Sequence, residues 1–197
     1  MNSTDLNSYL PVERVLLIES YLLMLKTWNH THNLVSKNHD DRKLLIEAID
    51  SILGGRYLDN NHPVFDVGSG GGIPGVILSI IYPENSFTLV ESNRKKCSFL
   101  RTVRSQLNLI NMTVKNTRIE NFTNIINIVS KAAFSPDHAG VLIDALAPGG
   151  CLSLWSTPMS QEGFIKKLSK QGAYLLKSFS YRLPNHQERV ILVFSKD

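Results

Sequence analysis

Apolar residues recur with helical spacing early in the chain. Val12, Val15, Leu16, Ile18, Leu22, Leu23 and Leu25 form a stripe broken by Glu13, Arg14, Glu19 and Lys26, which predicts an amphipathic helix over 12–25. A second stripe, Leu44, Leu45, Ala48, Ile49 and Ile52, predicts a helix over 40–53 that stops at Gly54-Gly55. The stretch 28–34 between them is polar and aromatic and reads as a link. Residues 1–62 therefore look like a helical extension, an appendage ahead of the main fold.

From Pro63 the texture changes to short β-branched runs alternating with helical stripes. Strands are predicted over 64–67, 86–91, 112–114, 125–129 and 151–155, with helices over 73–82, 94–107, 136–146 and 161–170 between them. Two longer β-runs, 174–181 and 188–194, close the chain around a Pro184-Asn185 turn. The alternation predicts an α/β fold, a mostly parallel, doubly wound sheet of seven strands. The short loop 182–187 requires the last two strands to pair antiparallel. Residues 63–197 are expected to form one compact unit.

Composition narrows the class. A chain of 197 residues fits one domain of ordinary size, and 43% hydrophobic residues are enough for a full core, so disorder is excluded. No run approaches the ~18 apolar residues of a membrane span. The first ten residues lack the basic start and apolar run of a signal peptide, and a cytoplasmic protein is expected. Cys97 and Cys151 alone make neither a disulfide framework nor a four-ligand zinc site, and the six histidines contain no His-x-x-x-His pair, so no metal is expected. The charge is uneven. Between Asn93 and Lys131 there are eight cations against the single acid Glu120, although the whole chain carries only +4. Such clustering suits a polyanion such as RNA; a solvated Lys/Arg-rich helix face is the alternative.

The loop after the first predicted strand carries the chemistry. It reads Asp66-Val67-Gly68-Ser69-Gly70-Gly71-Gly72-Ile73-Pro74-Gly75. Glycines there permit positive φ and let a ligand approach the backbone. The following helix start offers unpaired N–H groups. Glu91 ends the next strand, placed to accept two ribose hydroxyls. Gly70-x-Gly72-x-x-Gly75 formally fits a dinucleotide fingerprint, which alone is a weak motif. Asp66 argues for another ligand: a carboxylate there repels a pyrophosphate but receives the ammonium of a methionine moiety. S-adenosylmethionine has that ammonium and no phosphate. The Pro148-Gly149-Gly150 turn and the closing antiparallel pair also resemble Rossmann-like methyltransferases.

These residues together resemble one family, the bacterial small-subunit (16S) rRNA guanine-N7 methyltransferases, also called glucose-inhibited division protein B. Trp28-Asn29-x-x-x-Asn33-Leu34-x-Ser36, Ile49-Asp50-Ser51, the glycine loop with its Pro-Gly, Glu91-Ser92-x-x-Lys95-Lys96-x-x-Phe99-Leu100, Arg118-Ile119-Glu120 and Gln187-Glu188-Arg189 carry the resemblance. It implies that Gly68, Gly70 and Ile73 line the methionine part of S-adenosylmethionine, Glu91 the ribose, and Ile119 with Glu120 the adenine. Asp66, Ser69, Gly72 and Ser92 complete the implied cofactor set. Lys95, Lys96 and Arg189 would face RNA or the target base. Lys131 stands where the family has Arg at the end of the fourth strand, and would lie beside both the transferred methyl and the incoming base as the candidate catalytic residue. The chain departs from the family pattern there, at Trp155 (family Lys), and at Ile46-Glu47 (family Arg-His).

Guanine N7 has a free lone pair, so the missing acid–base pair does not count against methyl transfer. Trp155 could stack on the target base. The expectation is a monomeric, cytoplasmic methyltransferase acting on small-subunit rRNA or the ribosomal subunit. The alternatives are the same fold with a small-molecule or protein substrate, and a non-catalytic RNA-binding module.

Overall fold

The computed structural model describes residues 3–32, 34, 40–58 and 62–197. After a short 3-10 turn (Ser3–Ser8) come two helices, α1 (Val12–His32) and α2 (Asp41–Gly55). The alternating part follows as β1 (Val64–Val67), α3 (Gly75–Ile81), β2 (Phe87–Glu91), α4 (Arg94–Gln106), β3 (Met112–Asn116) and β4 (Ile125–Lys131). It ends with α5 (Gly140–Ala145), β5 (Leu146–Ser156), α6 (Gln161–Ser169), β6 (Ala173–Arg182) and β7 (Glu188–Lys196). The seven strands form one sheet in the order β3-β2-β1-β4-β5-β7-β6. Strands β1 to β5 pair in parallel, and β7 runs antiparallel to both β5 and β6. The α/β class and the antiparallel closing pair are as the sequence predicts.

Local chemistry starts the helices. Asp40 caps α2 by accepting the Lys43 N–H at 2.8 Å. Asn93 caps α4 by accepting the N–H groups of Lys95 and Lys96 at 2.9 and 3.2 Å. Three elements differ from the pattern-based reading. Helix α1 continues through the supposed link to His32, because Trp28 packs its ring on Phe99 of α4 at 5.4 Å. Helix α5 shrinks to six residues. Strand β5 begins at Leu146, and its register with β4 shifts between Ile125 and Asn127 to absorb the Pro148-Gly149-Gly150 turn. The motif residues Asn33 and Ser36 lie outside the described residues.

The N-terminal helices share the core of the sheet rather than standing beside it. Ile18, Tyr21, Leu22 and Leu25 of α1, with Leu44, Ala48, Ile49 and Ile52 of α2, join Val76, Ile77, Phe99, Val129 and Ile191 in one buried cluster. Each fully buried Leu or Ile contributes roughly 1.5–3 kcal/mol, so this set is comparable with the net stability of a whole domain. Tyr21 fixes the seam by donating its hydroxyl to the Gly71 carbonyl at 2.8 Å, directly under the glycine loop. On the other face of the sheet Leu142, Leu152, Leu168, Leu192 and Phe194 form a second cluster with α5 and α6.

The seam between α2 and the sheet is tight at Gly54, where an added Cβ would come within 2.6 Å of Trp155 Cε2. Helix propensity alone favours Ala over Gly by up to about 1 kcal/mol. Overpacking against an indole costs about 1–3 kcal/mol and wins. Gly54→Ala is expected to lower stability by about 1–2 kcal/mol in urea unfolding; a stabilised variant would place α2 away from Trp155.

Candidate functional site

The site begins where β1 runs into the glycine loop. Gly68 has φ +75°, and a Cβ there would collide with Ala133 Cβ, so the turn admits only glycine at this close approach. The loop is stitched to β2: Gly68 N–H donates to Val90 O at 2.9 Å, and Gly70 N–H to Glu91 Oε2 at 2.9 Å. Glu91 accepts a second amide, that of Asn93, through Oε1 at 2.7 Å. One carboxylate thereby fixes both the loop and the start of α4, and each oxygen keeps a further lone pair for a ligand.

A cavity of about 730 Å³ opens over this loop. Gly68, Ser69, Gly70 and Ile73 form one side. Glu91 and Ser92 lie at the carboxyl end of β2, and Ile119 and Glu120 follow β3. Lys96 reaches the rim, and Lys131 with Phe134 makes the far wall. Most of the residues picked from the sequence are therefore brought together. Gly72 is not; a Cβ there would meet Val76 and Leu100 of the core. Lys95 is exposed on α4, away from the cavity.

Asp66 also departs from expectation. It is 1% exposed and does not line the cavity. Its carboxyl lies beneath the loop, where Oδ2 accepts the Gly75 N–H at the start of α3 at 3.1 Å. Oδ1 has no hydrogen-bond partner among the described residues. Burial is the main cause that pushes its pKa up to about 7, with the Glu91 charge adding to it and the bonds from Ser69 and Gly75 opposing it. The role assigned to it from the sequence, receiving an ammonium directly, does not match a carboxyl facing the core.

Lys131 occupies the expected place at the end of β4, but in a different electrostatic state. Its ammonium is 2.7 Å from Glu47 Oε2 and 2.6 Å from Asp50 Oδ2, both on α2. Asp50 is also held by the Tyr181 hydroxyl at 2.6 Å and lies 3.7 Å from Arg189 Nε. Trp155 donates its indole N–H to the Asp50 carbonyl at 3.2 Å. These residues enclose a second cavity of about 320 Å³, which shares the wall Lys131, Ala132, Ala133 and Phe134 with the first. Arg189 belongs to this second cavity. So do Ser156, Thr157 and Ser160, whose hydroxyls bond one another at 2.9–3.0 Å.

Sequence reasoning named Lys131, Trp155 and Arg189 but missed Ala132, Ala133 and Phe134 and the second cavity itself. Ala132 has φ +54°, a left-handed turn that costs a non-glycine residue about 1 kcal/mol or more. The available signal was positional: the segments following β3, β4 and β5 sit at the carboxyl edge of a parallel sheet, where such folds build sites.

The family profile of rRNA small subunit methyltransferase G (GidB) matches residues 15–166. The chain belongs to this family. Ribosomal RNA small subunit methyltransferase G from Francisella tularensis is 43% identical over 118 residues, covering 59% of this chain and 57% of the relative. The Francisella philomiragia protein of the same name is 42% identical over the same shares. The chain thus spans less than two thirds of the length of these relatives. Solved structures share the fold at low identity. A B. subtilis tRNA methyltransferase superposes with TM-score 0.61 at 14% identity, covering 75% of this chain and 65% of that one. The mitomycin 7-O-methyltransferase MmcR gives 0.63 at 12% identity, covering 91% and 67%. The glycine loop and Glu91 line the larger cavity, and the Asp50 cluster lines the second.

Asp66 makes the stability of the loop pH-dependent. Its folded pKa of about 7 lies above the ordinary aspartate value near ~3.9, so the folded state holds the proton more tightly. Its contribution is fully present below about pH 4 and is lost as pH rises through about 7. Asp66→Asn keeps an acceptor for Gly75 N–H and removes the titration. Relative to the variant, the unmodified protein should lose up to ~1.4 kcal/mol per pH unit across this window in denaturant unfolding; a pH-independent difference would place the titration elsewhere.

Proposed function

We propose that the protein is a cytoplasmic, S-adenosylmethionine-dependent methyltransferase acting on N7 of a guanine in small-subunit rRNA. The observation that carries this reading is the pair of cavities meeting at Lys131–Phe134 in a chain of this family. One suits the methyl donor and the other the acceptor. The larger cavity lies within the usual ~300–1,000 Å³ of cofactor sites and combines an apolar shelf, Ile73 and Ile119, with the Glu91 carboxylate. Gly68, Ser69, Gly70 and Ile73 would hold the methionine part, Glu91 with Ser92 the ribose, and Ile119 with Glu120 the adenine. S-adenosylmethionine supplies an electrophilic methyl group when bound.

The chain's own work is alignment. Guanine N7 carries no proton, so no general base is needed, and holding donor and acceptor in line removes most of the entropic cost of the encounter. Lys131, the catalytic candidate from the sequence, serves here as a positioning residue, since two carboxylates hold its ammonium. Lys95 and Lys96 at the start of α4 suit phosphate contacts, which orient RNA without reading its sequence. A ribosomal subunit or its rRNA is the proposed partner, and a monomer the proposed state.

Glu91→Ala should weaken S-adenosylmethionine binding by about 1.5–3 kcal/mol, the worth of hydrogen bonds to a charged group, as read by calorimetry. Unchanged affinity would remove Glu91 from the cofactor site. Replacing Lys95 and Lys96 by Ala should flatten the salt dependence of rRNA binding by roughly one unit per lost phosphate contact. An identical salt slope would place the RNA elsewhere. The reading as a whole is tested by incubating small ribosomal subunits with the protein and S-adenosylmethionine and assaying for N7-methylguanine. No product, with the cofactor bound tightly, would transfer the activity to a different acceptor.

A further inference from the structure

The outer face of α4 combines a costly placement of charge with a lack of ion pairs. Its 13 residues, Arg94–Gln106, include Arg94, Lys95, Lys96, Arg101 and Arg104 and no acid. Three of these cations fill the first turn, at the positive end of the helix dipole, where they weaken the helix. The other helices longer than α3 and α5, namely α1, α2 and α6, carry an acid in that turn: Glu13, Asp41 and Glu162. Cys97, Leu100 and Val103 bury the inner side of α4. Arg94, Ser98, Arg101 and Ser105 are all exposed, and their i, i+4, i+7, i+11 spacing aligns them in one ridge on the outer side. Arg104 turns back to donate to the Met112 carbonyl. Among the described residues none of the α4 cations forms an ion pair, whereas Lys26, Lys131, Lys167, Arg182 and Arg189 all do.

Unpaired cations along one helix, against the dipole, are stabilised when a polyanion lies over them. What the surface lacks decides which polyanion fits. Single-stranded nucleic acid is held largely by stacking its bases on exposed aromatic rings. Among the described residues the only exposed Phe, Tyr or Trp is Tyr174 on β6. That strand is at the opposite edge of the sheet from β3, on which α4 packs. A double helix keeps its bases stacked inside and presents phosphates and 2′-hydroxyls. A ridge roughly 16 Å long, with two guanidinium groups separated by small hydroxyls, offers partners for both.

We infer that the outer ridge of α4 docks the backbone of double-stranded RNA, with Arg94 and Arg101 on phosphates and Ser98 and Ser105 on phosphate or 2′-hydroxyl oxygens. The biological role of this surface rests on the proposed rRNA substrate; its binding test does not. Lys96, on the same helix, reaches the rim of the larger cavity. A duplex on α4 therefore lies beside the site, and the nucleotide that enters the site comes from an unpaired stretch next to that duplex. Backbone contacts of this kind set register and orientation and carry no base preference.

The test uses the full chain and fluorescence anisotropy with an RNA duplex of about 16 base pairs and one of its strands alone. The duplex should bind at least about fivefold more tightly than the strand. Arg94→Gln combined with Arg101→Gln should weaken duplex binding roughly 10-fold or more at ~0.1 M salt and lower the salt slope by about two. S-adenosylmethionine affinity should change less than about twofold in that variant, since both side chains lie outside the cavities. Lys166→Gln combined with Lys170→Gln removes the same charge from α6, on the other face of the sheet, and should leave duplex binding within about twofold. A strand that binds as tightly as the duplex, an unchanged Arg94/Arg101 variant, or equal losses in the two double variants would each overturn the inference. The last of these would reduce the effect to net charge. The two readings fail separately. Duplex binding lost in the Arg94/Arg101 variant, with no N7-methylguanine formed on ribosomal subunits by the unmodified protein, leaves the surface standing and removes the methylation target. N7-methylguanine formed normally, with duplex binding indifferent to Arg94 and Arg101, does the reverse.

Discussion

The carboxylate of Asp50 joins more of this molecule than any other group in the candidate site. It sits on α2, 1% exposed, and meets Lys131 from β4, Tyr181 from β6 and Arg189 from β7, while its own carbonyl accepts Trp155 from β5. A buried carboxylate without partners costs several kcal/mol, so α2 can approach the sheet only where those partners converge. That convergence fixes the position of α2, and with it the close contact of Gly54 with the indole of Trp155. Tyr181 stays a hydrogen-bond donor in this arrangement, because burial and the adjacent Asp50 charge raise its pKa. Stacking of Tyr57 on Phe179 at 4.3 Å closes the same seam from outside. The second cavity is the space left over when α2 is held by charge at one end and by packing at the other.

The glycine loop follows the same rule with different partners. Glu91 accepts the amides of Gly70 and Asn93, and Asp66 accepts that of Gly75, so two carboxylates satisfy backbone donors that a tight turn would otherwise leave open. Glu91 faces the cavity and remains available to a ligand; Asp66 faces the core and does not. Two acids in adjacent strands thus have separate roles, decided by which way the strand points each side chain. Tyr21 completes the support from below, and through it α1 braces the loop beneath the larger cavity.

Features with a short sequence range were legible. The alternation of strands and helices, the glycine loop, and the spacing from Gly68 to Glu91 all depend on residues close together in the chain, and each is found where the pattern puts it. What escaped depends on long-range contact. Trp28 reads as part of a polar link until Phe99 is placed beside it. Asp50 and Ser51 read as a polar helix end, yet the partner that holds Asp50, Tyr181, is 131 residues away. Lys131 reads as a cation beside the reacting groups, and only the fold reveals that its charge is matched locally by α2. Charge counted along a sequence treats every lysine as solvated; burial divides them into those that face solvent and those that hold the protein together.

This division bears on the positions where the chain departs from its family's pattern. Taken singly, the loss of Arg for Lys131, of His for Glu47 and of Lys for Trp155 suggests a weakened substrate side. In the structure these three residues are neighbours around Asp50: Lys131 pairs with Glu47, both flank Asp50, and Trp155 bonds its carbonyl. A site losing its function by piecemeal substitution would leave buried charges without partners, because each change removes one side of an interaction. Here Lys131 is met by the Glu47 carboxylate, and the Trp155 indole fills the contact with Gly54. Glu47, Lys131 and Trp155 thus make one wall around Asp50, in which the buried charges meet opposite ones and the indole fills the contact with α2.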